Sequence, residues 1–139
     1  MTSYHMHLES LASVSGVRVR TAPVPPGHWG LYDHSHKLIT IKPGLGRMQY
    51  NYALAHELGH AHFGHHGHQP KQERIADKWA ARQLIDFEDL LEHSKVSMDR
   101  LTTAANLGVL PSVLETYIQS CLSPRQSICL LNHLAEIYA

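Results

Sequence analysis

The 139 residues suit one domain with a buried core, and the balance of 43% hydrophobic to 17% charged residues excludes a disordered chain. Twelve basic residues offset twelve acidic ones, and a chain without basic excess is not a general nucleic-acid binder. Two cysteines, Cys121 and Cys129, are too few for a disulfide framework and match no zinc-finger spacing; core packing in a reducing cytosol is their expected use.

No stretch reaches the ~20 apolar residues of a membrane span, and residues 1–7 lack the charged-then-apolar pattern of a secretory leader, so a soluble cytoplasmic protein is expected. Residues 3–15 read as a short helix with Leu8, Leu11 and Val14 on its inner face and Gly16 as its stop. Val17-Arg18-Val19-Arg20 alternates as a strand does. Pro23, Pro25, Pro26 and Gly27 then impose a loop. Residues 29–32 and 37–42 flank Asp33-His34-Ser35-His36 and read as a β-hairpin with a four-residue turn.

A helix is predicted over residues 48–63, with Leu54, Leu58 and Ala61 as its core stripe and Gly64 as its C-terminal cap. A polar loop covers residues 65–71. A second helix, residues 72–84, turns Ala76, Trp79, Ala80, Gln83 and Leu84 inward. Residues 86–93 look helical or turn-like. Ser97-Met98-Asp99 starts another helix, and Leu107-Gly108-Val109 ends it. Pro111-Ser112 opens the next, Pro124 breaks it, and residues 127–138 form a last amphipathic helix with Ile128, Leu131, Leu134 and Tyr138 on its apolar side. The expected organisation is one domain over residues 1–139, a catalytic core to about residue 90 followed by a helical part from about residue 94.

Thirteen histidines are the unusual feature, and His56, His60, His62, His65, His66 and His68 cluster. Within the cluster His56, Glu57 and His60 form H-E-x-x-H. On a helix, positions four apart share one face about one turn apart, so both imidazoles reach one metal ion. Glu57, beside the first histidine, then reaches a water on that ion. Zinc hydrolases use this spacing, and they need three protein ligands and one open position. In the gluzincin pattern the third ligand is a glutamate on a following helix, and a carboxylate one turn later orients a ligand histidine. Glu73-Arg74-Ile75-Ala76-Asp77 matches that pattern as E-x-x-A-D. Glu73 is the expected third ligand and Asp77 the carboxylate that holds a ligating imidazole. The small Ala76 lets the two helices approach. Glu57 is the expected general base and the proton shuttle to a leaving amine. The implied cofactor is one Zn2+ per chain, and the implied reaction is peptide-bond hydrolysis without a covalent intermediate.

Tyr52-Ala53-Leu54-Ala55-His56-Glu57-Leu58-Gly59-His60 and the run from Glu73 to Leu84 resemble the ImmA/IrrE family of zinc endopeptidases. Trp79 stands where that family commonly has Phe, and Ile85-Asp86 stands where it often has Met-Pro. The match is good over residues 28–90 and holds only in outline beyond. The resemblance implies a gluzincin-like α+β core with a short sheet packed on the H-E-x-x-H helix. It further implies a bacterial or phage origin and cleavage of a helix-turn-helix repressor of a mobile element or stress regulon. If the hairpin forms an edge beside the active-site helix, it offers backbone groups to an extended peptide; Leu38, Ile39, Thr40 and Ile41 are the candidate edge.

The remaining histidines have plainer readings. His62, two residues past His60, lies off the ligand face. His62, His65, His66 and His68 read as a solvated loop, the sharper alternative being a second metal site. His34 and His36 read as exposed turn residues. His28, Tyr32, Tyr50 and Tyr52 are all eligible to stabilise an oxyanion, and spacing selects none. Residues 99–122 resemble a helix-turn-helix, yet Arg100 against Asp99 and Glu115 leaves residues 97–123 net acidic, so a packing or partner-docking unit is expected rather than direct DNA contact. Two other functions remain open: a non-catalytic metal-bound module that sequesters a repressor or other partner, and a histidine-rich metal store with several ions per chain.

Overall fold

A computed structural model of the chain describes residues 3–94 and 99–138. Helix α1, Ser3–Val14, buries Leu8 and Ala12, one turn apart, and stops at Gly16 in the left-handed region. Its inner face is therefore rotated from the expected one: Val14 is 82% exposed.

Three short strands follow, β1 (Arg18–Thr21), β2 (Gly30–Asp33) and β3 (Leu38–Ile41). The expected hairpin is present, with Gly30 opposite Ile41 and Asp33 opposite Leu38. The order is β1-β3-β2, with β1 parallel to β3. This corrects the expected substrate edge. Leu38, Ile39, Thr40 and Ile41 pair on one side with residues 18–21 and on the other with residues 30–33, so their backbone is committed within the sheet. Ile39 and Ile41 are fully buried, and Thr40 on the opposite face accepts a hydrogen bond from Arg20 Nε at 2.9 Å. Among the described strands, the edges are β1 and β2.

Helix α2 (Arg47–Phe63) packs on β2 and β3 and, most extensively, on α3 (Pro70–Leu84). The Gln49 side chain accepts the Gly46 N–H at the start of α2, and Pro70 opens α3, where a missing N–H has no cost. The two helices meet at Gly59 and Ala76. A Cβ on Gly59 would come within 3.1 Å of the Ala76 Cα and 3.3 Å of the Trp79 ring. This close approach explains why small residues sit inside both motifs.

Four helices complete the described residues: α4 (Phe87–Ser94), α5 (Arg100–Leu107), α6 (Pro111–Ser120) and α7 (Pro124–Tyr138). Asp99 caps α5 by accepting from the N–H groups of Leu101 and Thr102; Ser97 and Met98 of the expected start signal lie outside the described residues, as does the side chain of Tyr138. Pro124 opens α7 rather than merely ending α6. Ser123 Oγ accepts the Gln126 N–H and Gln126 Oε1 accepts the Ser123 N–H, a reciprocal cap that the proline at the first turn fits. The helix-turn-helix-like segment is a packing unit: α6 lies on α3 and buries Val113, Leu114 and Tyr117. Cys121 is half-buried near the Lys78 carbonyl, whereas Cys129 is exposed and packs no core. One apolar cluster runs from Leu8 through Leu58 and Leu84 to Leu130. No described helix is long and apolar enough to cross a membrane.

Candidate metal centre

The close α2–α3 crossing sets one face of each helix against the other, and the H-E-x-x-H and E-x-x-A-D residues meet there. His56, Glu57 and His60 are all buried and offer ligand atoms within 4.8 Å of one another. Glu73 spans the two histidines: its Oε2 lies 2.9 Å from His56 Nε2 and its Oε1 lies 2.9 Å from His60 Nε2. The two Nε2 atoms are themselves 3.2 Å apart. Four ligands at about 2.0–2.2 Å around zinc lie roughly 3.3–3.6 Å from each other, so these separations are close to those of a ligand set and slightly tighter.

Hydrogen-bond direction tests the fit. His56 Nδ1 donates to Asp77 Oδ1 at 2.8 Å, which leaves its Nε2 with a lone pair in the neutral ring. That lone pair faces a carboxylate oxygen and a second imidazole nitrogen. Such a convergence of acceptors is satisfied by a cation. Burial lowers the His56 pKa, but the bond to Asp77 and the charges of Glu57, Asp77 and Glu73 outweigh it and raise the value overall. For His60, burial and the adjacent His56 push the pKa down to about 4, which keeps that imidazole neutral and available as a ligand. Burial raises the Glu73 carboxyl, yet its proximity to His56 and His60 and its bonds to His56 and His68 prevail and hold it below the ordinary range.

Asp77 is fixed from two sides. Its Oδ1 accepts the His56 Nδ1–H and also the Tyr52 O–H at 2.6 Å. Tyr52 sits one turn before His56, so helical spacing contained the signal. Burial, followed by the bond to Asp77, raises the Tyr52 pKa far above the ordinary phenol value.

Glu57 differs from the other carboxylates. Among the described residues its buried Oε2 has no hydrogen-bond partner. Burial, opposed by His56 and assisted by Glu73, pushes its pKa up to about 7. Gly30 makes room for it: a Cβ there would meet Glu57 Cγ at 3.2 Å and Ile41 Cδ1 at 3.1 Å. Glu57 thus lies against the first residue of β2 and lines a cleft of about 300 Å³ together with residues 27–30, Tyr52, His56, His68 and Glu73.

The other expected residues divide. Leu38, Ile39, Thr40 and Ile41 do not line this cleft. Tyr50 is directed to Glu9, and Tyr32 is bonded to His34 Nδ1 at 2.9 Å. His28 does line the cleft, 5.1 Å ring to ring from His68. His62 is exposed and stacks on Trp79, off the ligand face as expected. His66 is exposed against His34. His65 and His68 are less detached than a solvated loop would be: His68 Nδ1 is 3.4 Å from Glu73, and His65 Nδ1 is 2.9 Å from His60 Nδ1.

Together, the short sheet, the H-E-x-x-H helix and the crossing E-x-x-A-D helix define an α+β protein of gluzincin-like build. The chain belongs to the Peptidase_M78 family, described as the IrrE N-terminal-like domain, whose profile matches residues 12–118. A solved structure of a Mycobacterium tuberculosis transcriptional regulator shares the fold, with a TM-score of 0.68 at 13% identity. That match covers 91% of this chain and 44% of the other, so this chain spans less than half the length of the regulator. No curated protein shows a significant sequence match.

Proposed function

We propose that the protein is a zinc-dependent endopeptidase of narrow specificity, built as one metallopeptidase domain over residues 1–139. The observation that carries this reading is the convergence of His56, His60 and Glu73 beside the unpartnered, buried Oε2 of Glu57. His56 Nε2, His60 Nε2 and Glu73 would hold one Zn2+, and Asp77 orients His56. Zinc in such a site lowers the pKa of a water to about 7 and polarises a carbonyl. Glu57 Oε2 takes the proton of the attacking water and passes it to the leaving amine nitrogen. A carboxyl whose pKa burial has raised toward neutrality is suited to both transfers.

The substrate rail moves from β3 to β2. Gly30–Asp33 pairs with β3 on one side only, and its first residue touches Glu57. A second groove of about 450 Å³ is lined by residues 31–35, by Arg20, Leu38 and Thr40 from the neighbouring strands and by residues 66–68, and shares His68 with the cleft. An extended peptide adding to the free side of β2 would begin beside Glu57. The proposed substrate is a protein, a helix-turn-helix repressor of a phage, mobile element or stress regulon, cut in the bacterial cytoplasm. The resemblance of the two motifs to repressor-cleaving endopeptidases supports that choice.

The test is Glu57→Gln in the full chain, incubated with a helix-turn-helix repressor that the wild type cleaves. Zinc content should stay at one ion per chain while cleavage falls about 10²–10⁴-fold, the range for a lost general base. Undiminished cleavage would refute the mechanism. A zinc-loaded wild type that binds such repressors and cuts none would replace the peptidase with a sequestering module.

A further inference from the structure

We propose that His65 is a positioning residue of the metal centre: its Nδ1 accepts the Nδ1–H of His60 and holds that imidazole with Nε2 turned to the ligand triangle. The inference rests on the metal-centre reading above and adds the part that reading leaves unassigned. His56 has its carboxylate in Asp77. Among the described residues, the Nδ1 of His60 meets no carboxylate; it meets His65 at 2.9 Å.

The backbone makes this contact. Helix α2 ends with Gly64 at φ 66°. The Gly64 N–H donates to the Ala61 carbonyl at 3.2 Å, and the His65 N–H donates to the His60 carbonyl at 2.9 Å. In this paired termination the residue after the glycine folds back over the residue five positions earlier, usually as an apolar contact. Here the two side chains so joined are imidazoles, with centroids 5.2 Å apart and planes at 64°. Phe63 stacks on the far ring at 5.6 Å and 19°, which restrains its rotation.

The tautomers follow. Two Nδ1 atoms at hydrogen-bond distance need one N–H between them. A His60 that offers Nε2 as a ligand carries its proton on Nδ1, so His65 Nδ1 is the acceptor and His65 carries its own proton on Nε2. His65 therefore does for His60 what Asp77 does for His56, with a neutral ring in place of a carboxylate.

Three full-length proteins test this: wild type, His65→Leu and His65→Asn. Leucine fills space without accepting, whereas the asparagine Oδ1 accepts from about the position of Nδ1. Zinc affinity is read by competition with a chromophoric chelator, and the His60 Nδ1–H of the zinc-loaded protein by its exchangeable proton resonance. His65→Leu should weaken zinc binding about 10- to 100-fold, as loss of a ligand's hydrogen-bond partner does, and expose the His60 proton to exchange. His65→Asn should recover most of the affinity and the protected proton. Equal affinity and an equally protected proton in wild type and His65→Leu would overturn the proposal, as would equal weakening in both variants. Should His65→Leu fail to fold, the protected proton in His65→Asn decides. A wild type that takes up no stoichiometric zinc would instead overturn the metal-centre reading itself.

Discussion

Helices α2 and α5 end in the same way and deliver different things. Each closes on a glycine of positive φ, 66° at Gly64 and 75° at Gly108. In each, the following N–H reaches back five residues, from His65 to His60 and from Val109 to Ala104. A proline then opens the next helix, Pro70 or Pro111. After Gly108 the chain contributes Val109, Val113, Leu114 and Tyr117, all buried in the core. After Gly64 it contributes His65 and then Glu73 and Asp77, which converge on His56 and His60. One backbone device thus serves apolar packing in one region and a polar centre in the other. Only the side chains differ, so stability and metal binding should be separable by mutation.

The largest expected break on the packing side is Leu114→Ala. Leu114 is 1% exposed, and the truncation should cost about 2–5 kcal/mol in urea unfolding with a chelator present. Zinc affinity of the folded protein should not change; a parallel loss would erase the contrast between the regions. Asp77→Asn should do the reverse. It keeps the shape but weakens the acceptor for His56 Nδ1 and Tyr52, and zinc affinity should fall about 10- to 100-fold by chelator competition. Its unfolding midpoint without metal should move far less than that of Leu114→Ala. The smallest and sharpest comparison pairs Gly64→Ala with Gly108→Ala. A Cβ at Gly64 meets nothing closer than His34 at 3.8 Å, so the penalty there is conformational, about 1–2 kcal/mol, and a similar penalty applies at Gly108. Only Gly64→Ala should also weaken zinc, because only its turn carries a ligand's partner. Equal zinc affinity in the two variants would detach the turn from the metal centre.

Much of this was legible in local spacing. Helices α2 and α3 lie within two residues of their expected bounds, since apolar period and Gly64 are local signals; Pro70, expected in the loop, instead opens α3. Gly59 and Ala76 mark the helix crossing as soon as both motifs are set side by side. Pro124 ends one helix and opens the next, because proline signals both; Ser123 and Gln126, three apart, are the cue for the second. Val14 was placed inward because a helical period fits more than one face when apolar residues are few, and burial then follows the neighbours available.

The sequence by itself determined which polar residues share a helix face. Spacings of four put His56 beside His60 and Glu73 beside Asp77, because the helix repeat leaves little choice of face. Only the tertiary structure decided that β2 rather than β3 bounds the cleft. A strand's own residues specify its faces, whereas its neighbours come from pairing with distant segments, here residues 18–21. It also decided that His65 meets His60 and that Tyr52 shares Asp77. Those contacts need the turn at Gly64 and the α2–α3 crossing to be formed first.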